Sequence, residues 1–273
     1  MNAATWSGVC TLILLGCTAA TAPSPSASPV AAPAPSSAPA ASAAPVDAAA
    51  RARAVVAAAG RSAADRALDD GRKPAELLTF VGVAPGNRVL DLCAGGGYTA
   101  ELLARAVGPS GVVYGENPKF VLGFAEKAWS ERLATAAMKN AVRVDTELDA
   151  PWPAEVKELD AVTLVLFYHD TVWLGTDRAK LNQNVFAALK PGGSYVIVDH
   201  SAKEGDGLAV VKTLHRIEES AVKAEVAKAG FVLDAEASFL REPGDTKDWS
   251  ASPREAGEKR GTSDRFVLRF KKP

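Results

Sequence analysis

The stretch VLDLCAGGGYT, Val89 to Thr99, constrains this chain more than any other feature. An apolar run ends in an acid, Asp91, and glycines 95 to 97 follow before YTAELLARAV, from Tyr98, takes up helical spacing. A buried strand that turns into a helix through consecutive glycines opens a parallel β–α–β unit, and its backbone can come close to a bound ligand.

The rest of the folded part continues the alternation. Asp47 to about Asp70, rich in Ala, Arg and Asp without internal Pro, reads as one or two helices. PAELLTFVGV, from Pro74, reads as a short helix with Pro in its first turn. After the Val83-Ala84-Pro85-Gly86 turn, NRVLDLC, GVVYGEN, AVRVDTE, ELDAVTLVLFYHD and SYVIVDH read as successive strands. Helices are expected between them, at Lys119 to Lys139 and Asp177 to Leu189 among others. This spacing predicts a doubly wound, Rossmann-like α/β fold with helices on both faces. The ending differs: a helix from about Thr213 to Ala229, then GFVLDAEASFL, a polar loop from Arg241 to Asp264, and RFVLRFKKP. Two strands without a helix between them should form an antiparallel edge pair, completing a seven-stranded, mostly parallel sheet. The loop 241–264 is too long for a plain hairpin and is expected to be a substrate flap or mobile.

A net charge of −1 over 273 residues gives no global attraction to nucleic acid, so no nucleic-acid partner is expected. The charge is uneven, with no Asp, Glu, Lys or Arg before Asp47. Val9 to Leu15 is too short to span a bilayer, which takes about 20 residues, but suits the core of a signal peptide. Leu14-Leu15-Gly16-Cys17 resembles a bacterial lipobox. The expected organisation is a signal peptide at 1–17, an Ala/Pro/Ser-rich disordered tether at 18–46, and one domain at 47–273 whose residues 47–80 form lid helices. A periplasm-facing lipid anchor at Cys17, in the cell envelope, would be the only membrane contact. The leading segment lacks Lys and Arg, which keeps a cytoplasmic location as the alternative. Cys93 is the one cysteine of the domain, so no disulfide is expected.

Two ligand classes fit the glycine turn. Gly95-Gly96-Gly97-Tyr98-Thr99-Ala100 satisfies the dinucleotide pattern, with Glu116 about twenty residues on for a ribose hydroxyl. Asp91 favours a different ligand, because a carboxylate at the strand end repels a pyrophosphate and attracts a cation such as a sulfonium. Asp91-Leu92-Cys93-Ala94-Gly95-Gly96-Gly97 resembles the first motif of the class I S-adenosylmethionine-dependent methyltransferases, with Cys93 where the family carries its first glycine. Glu116 is similar to the family's ribose-binding acid, DAPWP from Asp149 to the acidic segment bordering adenine, and LKPGG from Leu189 to the lead into the fifth strand. The antiparallel ending is also the family's habit, and the likeness runs from about Pro74 to the C-terminus. It is closest to a bacterial branch that carries an export signal.

The resemblance implies S-adenosylmethionine as cofactor, held by Asp91, Ala94, Gly95, Gly97, Tyr98, Glu116, Asn117 and Asp149, with Tyr168 as a wall at the methyl end. Asp145 and Glu147 compete with Asp149 for its role. It implies methyl transfer to an oxygen or nitrogen nucleophile of a small-molecule acceptor. His169 with Asp170, and His200 with Asp199, are the candidate bases at strand ends. His169, Asp170, Asp199 and His200 could instead hold a divalent ion, but without His-x-x-x-His or Cys spacing no metal is expected. His215 and Arg216 are expected on a helix surface, pairing with Glu218 or Glu219. Asp65, Arg66, Asp69, Arg72 and Lys73 form a second polar set on the lid helices. Two other functions remain open: an NAD(P)-dependent oxidoreductase, and a catalytically retired, ligand-binding envelope lipoprotein.

Overall fold

The computed structural model describes residues 47–273, so the expected signal peptide, Cys17 and the tether lie outside the described residues. The domain begins with α1 (Ala48–Ala57), whose first turn is capped by the Asp47 carboxylate accepting from the Ala49 amide. Ser62 caps α2 (Ala63–Arg72) in the same way through Asp65 N. Lys73, left-handed at φ 47°, turns the chain directly into α3 (Pro74–Val81), where Pro74 occupies a position that needs no amide hydrogen.

Seven strands follow with the expected helices: β1 (Arg88–Leu92), α4 (Tyr98–Val107), β2 (Val112–Glu116), α5 (Lys119–Leu133), β3 (Ala141–Val144) and β4 (Leu159–Val165). Then come α6 (Tyr168–Trp173), α7 (Arg178–Ala188), β5 (Leu189–His200), α8 (Val211–Leu214), α9 (Glu219–Lys228), β6 (Val232–Ala237) and β7 (Arg265–Lys271). They form one sheet in the order β3-β2-β1-β4-β5-β7-β6. The first five strands run parallel, and β7 lies antiparallel between β5 and β6. The expected doubly wound sheet with an antiparallel ending is therefore what the chain adopts. Successive residues of the central strands feed cores on opposite faces: Leu90, Val162 and Ile197 pack on one side, Val89, Ala161 and Val198 on the other. Among the described residues, no helix is long and apolar enough to cross a membrane.

Three local expectations are corrected. The fourth strand stops at Val165, and YHD lies in α6 rather than at a strand end. Leu166 turns at φ 60° while its amide still pairs with Val198 O, and the His169 amide then bonds the Asp199 side chain, which starts a helical turn in place of more strand. The helix expected at 213–229 is broken at His215, φ 49°, into α8 and α9. Between them Ile217 pairs with Ser201, held through Ile217 N to His200 O and Ala202 N to Ile217 O. Arg216, expected on the surface, is fully buried; its guanidinium bonds both oxygens of Asp245 and the carbonyls of Ser201 and Trp249. That pair, with Asp264 N on Asp245 and Glu242 N on Asp264, pins the loop 241–264 to the domain.

Candidate functional site

The glycine turn follows β1 where the sheet order reverses, β2 lying to one side and β4 to the other, the position at which open α/β sheets hold ligands. Cys93 sits at φ 51°, a left-handed conformation that explains why glycine is the ordinary residue there. The turn is shaped from behind. Ala94 N donates to Glu116 O, and the Asn117 side chain holds Gly95 by both its amide and its carbonyl, at 2.7 and 3.2 Å. Asn117, named as a cofactor contact, is thus a clamp on the turn. Gly97 (φ 85°) lies against Trp129 and Arg132, and a Cβ there would come within 2.6 Å of Arg132 Cδ and 2.7 Å of the indole. The Trp129 ring also fills the space beside Gly115, so one buried indole fits between two glycines.

Two carboxylates flank the turn at adjacent strand ends. Asp91 accepts from Thr163 Oγ1 at 2.7 Å, and its other oxygen is buried without a hydrogen-bond partner. Burial raises its pKa to about 7, against the opposing effects of Thr163 and the Arg72 charge. Glu116, fully buried at the end of β2, accepts from Cys93 N through one oxygen and leaves Oε1 equally unpartnered. Burial pushes its pKa well above the usual range, with Glu147, Asp91 and Asp145 adding repulsion. A buried polar atom without a partner costs about 1–3 kcal/mol. Two such acceptors beside one glycine turn fit a ligand that brings hydroxyl donors and a positive charge. Asp149 does not join them: it accepts from Asp177 N before α7. Glu147 accepts from Lys119 N at the start of α5, with its charge felt by both Glu116 and Cys93, and Asp145 is paired with Arg143.

The lid helices are fastened to this turn. Tyr98 donates to Asp69, and Arg72 lies 4.5 Å over the Tyr98 ring. Arg132 joins three parts: it bonds both oxygens of Asp65, pairs with Glu101, and donates to the Gly96 carbonyl. Of the lid residues named from the sequence, Asp65, Asp69 and Arg72 meet the turn. Arg66 bonds the carbonyls ending α1, and Lys73 only turns the chain.

Beyond the ends of β4 and β5 the structure gathers His169, Asp170, Asp199 and His200, and adds His215. Asp199 is fully buried and accepts from His169 Nδ1 at 2.7 Å, from His169 N at 2.8 Å and from His200 N at 2.7 Å. Burial opposes a charge on His169, but Asp199 and Asp170 outweigh it and raise the imidazole pKa to about 10. Asp199 and Asp170 thus bracket the imidazole, one on each ring nitrogen. Burial opposes the Asp170 charge too, yet His169 and His215 hold that carboxyl well below the usual range. His200 is kept neutral by burial and by the neighbouring cations, and its Nδ1 lies 2.7 Å from Ser263 Oγ. Tyr168 is corrected outright. Because α6 starts there, its side chain enters the core, where the hydroxyl donates to Glu225 and accepts from Asn182. Phe120 and Phe124, both exposed, form an aromatic rim with Trp173 beside His215.

Sequence reasoning missed His215, because helical spacing on both sides hides a break forced by tertiary bonds. It also missed Arg132 and Trp129, whose partners lie fourteen or more residues away on other elements.

No family model matches the chain. It is 36% identical over 115 residues to a 2-phytyl-1,4-naphtoquinone methyltransferase of Synechococcus elongatus, an alignment covering 42% of this chain and 46% of the relative. The chain thus spans about half the length of the curated relative it matches. Among solved structures it is similar to a putative sarcosine dimethylglycine methyltransferase from Galdieria sulphuraria (TM-score 0.55, 20% identity, 75% of this chain and 86% of that one). A SAM-dependent methyltransferase from Aquifex aeolicus is also similar (TM-score 0.51, 17% identity, 76% and 96%). With the strand order and the glycine turn already in place, these likenesses establish that the described domain has the Rossmann-like fold of the SAM-dependent methyltransferases.

Proposed function

We propose that the chain is an S-adenosylmethionine-dependent methyltransferase acting on a small molecule. The observation that carries this reading is the pair of unpartnered carboxylate oxygens, Asp91 Oδ2 and Glu116 Oε1, at adjacent strand ends around the glycine turn. Glu116 would accept from the ribose hydroxyls, and Asp91 would face the cationic methionine part. S-adenosylmethionine supplies a methyl group on a positive sulfur, transferred by in-line displacement. The chain's own contribution is positioning. Asn117 fixes the turn, Trp129 and Arg132 support it, and the lid helices close over Tyr98. Of the two bases expected from the sequence, His169 has a carboxylate on each ring nitrogen, whereas the His200 ring meets Ser263, so His200 would be the one to accept a proton from an oxygen or nitrogen nucleophile. The aromatic rim of Phe120, Phe124 and Trp173 favours a flat, apolar acceptor, in keeping with the naphthoquinone named for the cyanobacterial relative.

Calorimetry with S-adenosylhomocysteine and with NADH tests the reading against the oxidoreductase alternative. Binding of the first and not the second is expected, and the reverse overturns it. Binding without transfer to any methyl acceptor in a metabolite extract would favour the retired-enzyme reading.

Export with a lipid anchor at Cys17 belongs to the same proposal, supported by Leu14-Leu15-Gly16-Cys17 and the uncharged segment behind it. Fractionation of the native chain and Cys17→Ala tests it: the native chain should partition with membranes and the variant should not. Both staying in the cytoplasm overturns the anchor.

A further inference from the structure

The three histidine-cluster atoms that face one another are His169 Nε2, Asp170 Oδ1 and His215 Nδ1. Their separations are 3.2 Å between the two imidazole nitrogens, 3.2 Å from His169 to Asp170 and 3.3 Å from His215 to Asp170. Ligand atoms 2.0–2.1 Å from a tetrahedral zinc lie about 3.3 Å apart along each edge, whereas adjacent ligands of an octahedral ion at that distance lie about 3.0 Å apart. The triangle therefore has the edge of a tetrahedral site with three protein ligands and one open position. Among the described residues, this trio of potential metal ligands converges within 4.8 Å.

The surroundings are those of a metal site. Asp199 accepts from His169 Nδ1 at 2.7 Å, which sets the ring so that Nε2 points into the triangle, the usual carboxylate–histidine arrangement behind a metal ligand. Trp173 Nε1 donates to Asp170 Oδ1 at 2.7 Å and orients that carboxylate. His215 reaches the triangle where the backbone adopts φ 49° and interrupts a helix, a left-handed conformation unfavourable to a residue other than glycine. The triangle is buried on the His169 side (3% exposed) and accessible on the His215 side (22%), so the open position lies towards solvent and the aromatic rim. Asp170 is near enough to the glycine turn for its charge to act on Cys93.

We propose that His169, Asp170 and His215 form a binding site for a divalent transition ion of the zinc class, whose fourth position takes water or an oxygen or nitrogen of a small molecule. This set differs from the one conceivable from the sequence, since His215 replaces Asp199 and His200 as a ligand. The site stands on its own atoms, whether or not the chain transfers methyl groups.

The full-length chain, free of any affinity tag and stripped with a chelator, is titrated with Co(II) and the visible spectrum recorded. One Co(II) per chain is expected, with the intense absorption of a four-coordinate ion and displacement by Zn(II). Asp170→Asn and His215→Gln should each lower the affinity at least 100-fold. Asp199→Asn, which only orients His169, should lower it about 10- to 100-fold. Glu258→Gln, an exposed carboxylate, should leave it unchanged. Circular dichroism confirms that each variant is folded, and two independent ligand variants guard against the loss of one. No stoichiometric binding, or equal binding by native, Asp170→Asn and His215→Gln chains, would show a hydrogen-bonded cluster only and overturn the proposal. S-adenosylhomocysteine binding by the stripped chain separates the outcomes: it should persist if the cofactor reading holds, whatever the metal result.

Discussion

Asp199 holds His169 twice, taking the ring Nδ1 hydrogen on one oxygen at 2.7 Å and the backbone amide on the other at 2.8 Å. A single fully buried carboxylate thereby joins the end of β5 to the first turn of α6 and fixes both the position and the rotation of the imidazole. Removing it leaves the amides of His169 and His200 and the His169 ring without their acceptor. Asp199→Ala should cost about 3–5 kcal/mol in urea unfolding. A loss below 1 kcal/mol would mean that α6 is held by other contacts.

Asp91 gives the pH dependence of stability. Its folded pKa, about 7, lies above the ordinary carboxyl value of 3.8. Between those values the folded chain holds a proton that the unfolded chain has released, so this group's contribution to stability falls as pH rises and levels off above about 7. Asp91→Asn lacks that loss. Its urea midpoint should gain on that of the native chain from pH 5 to pH 8, and a difference independent of pH would contradict the assignment.

The same carboxyl should couple binding to protons. A cationic ligand draws Asp91 into its charged form, so below pH 7 binding releases a proton. S-adenosylmethionine affinity should rise up to about tenfold per pH unit from pH 5 to 7 and flatten above it. Calorimetry in two buffers of different ionisation enthalpy reads the released proton directly, and Asp91→Asn should abolish both the slope and most of the affinity.

Gly97→Ala tests the turn. The added methyl meets the Trp129 ring and Arg132 within 2.7 Å at a positive φ, so both strain and overpacking apply. A loss of about 2–4 kcal/mol is expected from thermal or urea unfolding, together with weaker S-adenosylhomocysteine binding. Gly192→Ala shares the positive φ but meets nothing within 4 Å, so its loss should be confined to about 1–2 kcal/mol with binding intact.

Arg132 is the joint between lid and turn. Arg132→Met leaves Asp65 without its paired cation and Glu101 with Arg105 alone. Partial exposure of the site limits the cost to about 1–3 kcal/mol. Hydrogen exchange should quicken selectively in residues 63–72, and uniform exchange across the domain would show that the lid is held elsewhere.

The strand–helix alternation, the glycine turn after β1 and the antiparallel ending follow from local pattern, because apolar periodicity and glycine placement act over a few residues. Asp91 and Glu116 were legible for the same reason: both are the last acids of apolar strands that register side by side through β1 and β2. Other features depend on atoms brought together from distant segments. Asp149 and Glu147 differ by two positions, and only the packing of α7 decides that Asp149 is spent on Asp177. Tyr168 faces the core, and YHD is helical, because Asp199 captures the His169 amide thirty residues away in sequence. His215 leaves its helix because Arg216 is drawn into a buried pair with Asp245 in a loop that sequence alone marks as flexible. Local propensity is a property of neighbours along the chain, and it set the framework. The facing of His169, Asp170 and His215 is a property of neighbours in space, settled by long-range hydrogen bonds that outweigh a turn of helix.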